Sequence, residues 1–290
     1  MIPIDLSGQV ALVTGVSDNE SFAWCIAKTL QAAGAKLVFA VHPRVTGIVE
    51  MFLSNDQDAE ARLLPFGKGS LKVEKVVPCD VSYDTMADVD EKTKTDRRYV
   101  KHGDFSLQGL GEKLKADFPK IDILVHSVAF SSEVKKTQRD TSRAAYLQAL
   151  SISAYSLTGL LRVTAPLMTG GGSVVSLSYI GGERVVPHYG GGMSTSKAAL
   201  QIDTRQLAFN YGKDGIRVNT ISAGPYASRA AKGIGDIEKM IQHAAEKSPL
   251  PRGITADEVA QAALFLCSPL ASGITGECLY VDCGFHTMGV

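Results

Sequence analysis

The sequence has no excess of either charge: 30 Lys and Arg residues balance 30 Asp and Glu in a chain of 290. A balanced chain carries no electrostatic footprint for nucleic acid or an anionic membrane, so neither is expected as a partner. No apolar run approaches the roughly 20 residues that a spanning helix needs. Residues Met1–Gly8 show neither a charged-then-apolar signal pattern nor an Arg/Ser-rich transit pattern, so a cytoplasmic location is expected unless an organelle leader has been removed. The five cysteines (Cys25, Cys79, Cys267, Cys278, Cys283) include no CxxC pair and no partners at metal-ligand spacing. They read as reduced thiols, with no metal and no disulfide expected.

What the chain does have is a repeating order of apolar segments. Gln9–Thr14, Lys36–Val41, Glu74–Pro78, Ile121–His126, Ser173–Ser178, Ile216–Ser222 and Cys278–Asp282 are short and rich in Val, Ile and Leu, as strands buried on both faces are. Helical patterns separate them, notably Ser21–Ala33 (stopped by Gly34), Ser142–Pro166 and Ser194–Tyr211. The expected fold is α/β: a doubly wound (Rossmann-type) parallel sheet of about seven strands with helices on both faces, in one domain spanning 1–290. Two stretches fall outside the repeat. Pro43–Leu71 mixes a short helical pattern with Pro65, Gly67 and Gly69. Tyr83–Asp104 carries charges of both signs and few apolar residues, which reads as a solvated insertion on the surface; the alternative is a lid near a bound cofactor.

The first strand runs into Gly15, and a helix opens near Ser21. A glycine turn followed by a helix N-terminus is how such sheets cradle a pyrophosphate. The spacing Gly15-x5-Ser21 is not GxGxxG, and by itself it marks only a turn. Three further strand ends strengthen it: Asp80-Val81 after the third strand, Ser127-Val128-Ala129 after the fourth, and Ser222-Ala223-Gly224-Pro225 after the sixth. Together they point to a dinucleotide. The end of the second strand, Val41-His42-Pro43-Arg44, lacks the acid that would hold an NAD ribose. Arg44 would suit a 2′-phosphate, or it is a solvated arginine.

In the stretch Tyr179 to Lys197 the slot four residues before Lys197 holds Met193. Short-chain carbonyl reductases keep a tyrosine there, one helical turn away. The nearest tyrosine is Tyr189, eight residues before Lys197. It is followed by Gly190–Gly192, which cannot easily continue a helix, so Tyr189 is expected on a loop. Tyr179, ten residues further back, ends the fifth strand.

These features resemble the enoyl-acyl carrier protein reductases, a divergent branch of the short-chain reductases, over essentially the whole chain. The resemblance rests on the Gly15/Ser21 turn, Asp80-Val81, His126-Ser127, the Tyr179/Tyr189/Lys197 set, SAGP at 222–225 and the ending ITGECLYVDCGFHTMGV. The Tyr-to-Lys spacing and the 83–104 insertion look most like the plant-type members, which would allow a plastid-type location. The resemblance implies an NADH-dependent enoyl reductase of fatty-acid synthesis, with NADPH the less favoured cofactor, acting as a homotetramer on a thioester borne by acyl carrier protein. It implies Tyr189, Lys197 and Tyr179 as catalytic residues. It implies a cofactor site of Gly15, Ser21, Phe22, Val41, Asp80, Val81, Ser127, Val128, Ala129, Lys197, Gly224, Pro225, Tyr226 and Ser228. Substrate would meet Ser131, Tyr179, Tyr189, Ala230 and Ile234, the last two on a flap at about 226–245. Plant-type members have a Trp where Val41 stands, so the adenine contact departs from their pattern. Two rival readings are a carbonyl or alcohol dehydrogenase, opposed by Met193, and an inactive dinucleotide sensor, opposed by the retained Tyr189 and Lys197.

Overall fold

The computed structural model describes residues 4–228 and 237–289. Seven strands form one sheet in the order β3-β2-β1-β4-β5-β6-β7, every pairing parallel. They are β1 (Val10–Thr14), β2 (Lys36–Val41), β3 (Lys75–Pro78), β4 (Ile123–His126), β5 (Gly172–Ser178), β6 (Ile216–Ala223) and β7 (Cys278–Val281). The doubly wound sheet expected from the apolar runs is the sheet found, with ends that differ by a residue or two.

Alternation along each strand decides which face a side chain serves. Ala11 and Val13, with Leu37, Phe39 and Val41 beside them, face a core closed by α1 (Phe22–Ala32) and the last long helix, Ala256–Cys267. Val10 and Leu12, with Val38 and Ala40, face the opposite core. Helices α5 (Leu107–Asp117), α7 (Ser156–Thr164) and α8 (Met193–Gly212) close that side. Between β2 and β3 lies α2 (Thr46–Ser54).

The segment expected to be one helix from 142 to 166 is broken. Helix α6 (Arg143–Leu150) passes into a wider π turn at Ser151–Tyr155 before α7 resumes, and a tight turn over Ala165–Leu167 ends it. Two serine side chains at this turn bond backbone groups, one of them on another segment. Ser153, fully buried, accepts from the Phe130 amide at 2.9 Å and donates to the Phe130 carbonyl at 3.2 Å, while Ser156 donates to the Ile152 carbonyl at 2.6 Å.

The 83–104 segment is less solvated than its composition implies. It folds into α3 (Glu91–Thr95) and α4 (Arg97–Val100), capped by Asp90 and Asp96, whose carboxylates accept from the Thr93 and Arg98 amides. Val89, Tyr99 and Phe105 are buried against Tyr83 and Met86 in a core of their own. Five apolar residues spread over 23 positions show no period, which is why the sequence reads as a loop.

Trp24, fully buried, packs between Phe39 and Phe52 and donates its ring N–H to the Ala61 carbonyl at 3.0 Å. Trp24→Ala is expected to destabilise the fold by about 3–5 kcal/mol, read as a lowered midpoint in urea unfolding.

Candidate active site

In a parallel sheet all carboxyl ends lie on one side, and the crevice opens where the winding reverses. Here that point is between β1 and β4, the strands on either side of the switch in order. The two strand ends are held together closely. Gly15 has φ +78°, and a Cβ on it would lie 2.0 Å from the Ser127 carbonyl oxygen. Thr14 Oγ1 donates to the Val125 carbonyl at 3.0 Å and accepts from the Ser127 amide at 3.3 Å. Glycine at 15 thus serves the turn and the approach of Ser127.

Ser21 is the N-cap of α1, accepting from the Trp24 amide at 3.3 Å and donating to the Asp18 carbonyl at 3.2 Å. Its hydroxyl is engaged in the cap, and the anion-binding capacity at this turn lies in the helix's first amides. Phe22 packs its ring 5.0 Å from that of Tyr226, which joins the start of α1 to the turn after β6. Gly224 is pinned there by its N–H, which donates to the Val281 carbonyl at 2.8 Å, with Pro225, Tyr226 and Ser228 following it.

At the far end of the sheet two sequence assignments look different in three dimensions. The Val41 side chain is fully buried among Leu37 and Phe39, so it presents no face to a ligand. Asp80 is in place after β3, next to the half-buried Val81, but its carboxylate is already engaged. Oδ2 accepts from the Tyr99 hydroxyl at 2.9 Å and lies 3.3 Å from His42 Nε2, and Oδ1 accepts from the Ser82 amide at 3.0 Å. Burial alone would raise Asp80, but the bonds from His42 and Ser82 hold it down at about 2. Neither Tyr99 nor His42 stood out in the sequence, because neither sits in a spaced motif.

The reacting end is built on β5 and α8. Helix α8 starts at Met193, with Gly192 at φ +83° as its N-cap, so Tyr189 does precede the helix. Tyr179 and Tyr189 meet edge to face, ring centroids 5.0 Å apart. Gly181 allows this: a Cβ there would lie 2.7 Å from the Tyr189 ring. Met193 is buried beneath Tyr189 with Ala149 and Val186, so it is packing where a carbonyl reductase has its phenol. Ser131, buried, donates to the Gly191 carbonyl at 2.7 Å and thereby ties the loop after β4 to the glycine run. Among the described residues neither phenol hydroxyl makes a hydrogen bond, which leaves both available. Burial pushes Tyr179 up to about 12 and Tyr189 higher still, so both are neutral donors at physiological pH.

Lys197 is buried one turn into α8. Its ammonium donates to the Leu177 carbonyl at 2.7 Å, and burial lowers it to about 8. Two N–H bonds remain for a ligand's hydroxyls. Behind it lies His126, driven down to about 3 by burial and then by the Lys197 charge; its Nε2 is 2.7 Å from Ser156 Oγ. His126 is therefore a neutral scaffold group. The residues present fit a dinucleotide: free helix-start amides at one strand end, a buried ammonium with open donors at another. Ala230 and Ile234, and with them part of the 226–245 flap, lie outside the described residues; Ile237–Lys247 forms the next helix.

Residues 75–286 match the family model described as enoyl-(acyl carrier protein) reductase. The chain is 48% identical over its full length to the chloroplastic NADH enoyl-acyl-carrier-protein reductase 1 of Oryza sativa subsp. japonica, covering 77% of that protein. The chloroplastic Arabidopsis thaliana enzyme is 47% identical, with 100% of this chain and 74% of that protein aligned. This chain belongs to the enoyl-acyl carrier protein reductase family. The crystal structure of the Plasmodium berghei reductase with triclosan superposes with a TM-score of 0.93 at 38% identity, covering 97% of this chain and 99% of that one. No helix among the described residues is long and apolar enough to cross a membrane.

The sunken Lys197 sets a pH dependence of folding. Its folded pKa, about 8, lies below the ordinary 10.5, so between these values the unfolded chain binds the extra proton and stability rises with pH. In urea unfolding from pH 7.5 to 10, Lys197→Met should lose this rise relative to the wild type; equal slopes would show that Lys197 is not buried as described.

Proposed function

We propose that this reductase saturates the conjugated double bond of a trans-2-enoyl thioester carried by acyl carrier protein, using NADH. The carrying observation is the pair of tyrosines that meet at 5.0 Å beside a buried lysine, with Met193 where a carbonyl reductase would hold its acid. NADH, when bound, supplies a hydride to the β-carbon. Charge then develops on the thioester oxygen. Tyr189, neutral and without a partner among the described residues, is suited to donate its O–H to that oxygen, a contribution of about 3–4 kcal/mol by analogy with other oxyanion donors. The Lys197 ammonium, anchored on Leu177, would hold the ribose hydroxyls and favour the developing anion. Tyr179 would close the thioester side of the pocket, and a proton taken up at the α-carbon completes the reduction.

The fine detail of the site is proposed on the same footing. The turn amides after Gly15 would take the pyrophosphate, with Ser127, Val128 and Ala129 along the crevice, and the 224–228 turn would border the nicotinamide. The chain would act as one domain, with the 226–245 stretch over the acyl chain. A homotetramer is supported by apolar residues left exposed on α8, Ile202 and Phe209, seven positions apart on one face. Light scattering at four chain masses is the expected reading. A plastid-type location, the alternative to a cytoplasmic one, is supported by the chloroplastic names of the plant relatives.

Crotonyl thioester and NADH supplied to the purified protein should give loss of the reduced-nicotinamide absorbance. Oxidation with ketones alone would instead favour a carbonyl reductase. Tyr189→Phe is expected to lower kcat by about 10²- to 10³-fold with NADH affinity retained, whereas Lys197→Ala should weaken both. Normal NADH binding by Lys197→Ala would remove its ribose role.

A further inference from the structure

The end of β2 carries a cation, Arg44, where a dinucleotide site selective for NADH ordinarily has a carboxylate. An unengaged arginine there would favour the 2′-phosphate of NADPH. Arg44 is not unengaged. Its guanidinium lies 5.4 Å from the Tyr99 ring centroid and 3.9 Å from the Asp96 carboxylate. Both partners come from the insertion. Asp96 is set firmly: it caps α4 by accepting from the Arg98 amide at 2.9 Å, and the Arg98 guanidinium grips it at 2.6 and 3.1 Å. Four-fifths of its side chain is covered.

Tyr99 is what holds the insertion against this end of the sheet. It is buried, packs 4.8 Å from Phe105, and meets the His42 ring edge to face at 5.8 Å. Its hydroxyl donates to Asp80 and lies 3.2 Å from His42 Nε2. His42 Nδ1 accepts from the Arg44 amide at 3.2 Å, which places the ring proton on Nε2, toward the Asp80 and Tyr99 oxygens. His42, Asp80, Tyr99, Asp96 and Arg44 thus form one connected group across the carboxyl ends of β2 and β3.

We propose that Asp96 is the cofactor-selectivity residue of this enzyme: brought to Arg44 by the Tyr99 anchor, it supplies from the insertion the negative charge that the end of β2 lacks. It occupies, at 3.9 Å, the one cation at the second strand's end that would bind a 2′-phosphate, with its carboxylate shared with Arg98 at 2.6 Å. The 83–104 insertion is then part of the adenosine side of the cofactor site, and Asp96 and Tyr99 are positioning residues without a role in hydride transfer. This rests on the reading of the chain as an NADH-binding reductase.

Calorimetric titration with NADH and with NADPH, without acyl substrate, tests it. Asn retains the capping of α4, so Asp96→Asn should fold normally. In Asp96→Asn the ratio of the NADPH to the NADH dissociation constant should fall by about threefold or more, most of it from tighter NADPH binding. Adding Arg44→Ala to that variant should abolish the gain in NADPH binding. Wild-type protein that bound neither nucleotide would overturn the proposed function and this inference together. Wild-type protein that bound NADH, with an unchanged ratio in Asp96→Asn or a gain that survives Arg44→Ala, would overturn this inference alone.

Discussion

A buried ammonium is the constraint on which the site depends. Lys197 is the one lysine or arginine classed as buried among the described residues, and burial makes its charge expensive. The bond to the Leu177 carbonyl offsets part of that cost and fixes the geometry: the first turns of α8 must lie against the carboxyl end of β5. The chain between them therefore has to loop out and return within the residues 179–192. That loop is where both tyrosines sit. Gly181 lets their rings meet, and Gly192 starts the helix in a left-handed conformation. A charge that the core accepts only with a partner thus dictates where the phenols come to rest.

The loop is also clamped from outside. The Tyr280 hydroxyl donates to Glu183, and Arg184 donates to the His286 and Met288 carbonyls at 2.5 Å. His286 in turn stacks on Tyr280 at 3.9 Å and bonds Asp282 through Nδ1 and its amide. The C-terminal segment is therefore a brace on the loop that bears Tyr179 and Tyr189. Residues 130–136 brace it from the other side, through Ser131 on Gly191 and the Lys136 carbonyl that accepts from the Gly191 amide. Two unconnected parts of the chain hold one short segment, which is the preorganisation that the oxyanion role proposed for Tyr189 would need.

The carboxyl ends of β2 and β3 are organised differently. There the groups are polar, and two of them, Asp96 and Tyr99, come from the insertion, so mutual hydrogen bonds do the positioning that apolar packing does around Tyr189. Val41 illustrates the contrast. Its place in β2 suggests a ligand contact, but strand alternation turns its side chain into the core beside Phe39, and the next residue, His42, takes the outward position.

Much was legible in the chain itself because it depends on local order. Runs such as Val10–Thr14 and Ile123–His126 can only be strands of a sheet covered on both sides, and the eight-residue step from Tyr189 to Lys197, with Met193 between, separates this chain from carbonyl reductases. The packing of Tyr83, Met86, Val89, Tyr99 and Phe105 into a small core, the π turn at Ser151–Tyr155, and the joining of Arg44, Asp96, Tyr99, Asp80 and His42 were decided only by the tertiary structure. Period and spacing are carried by neighbours in sequence, so composition and pattern reveal them. Contacts between residues 15 and 127, or 44 and 96, exist only once the sheet has set its strand order, and no local pattern encodes that distance.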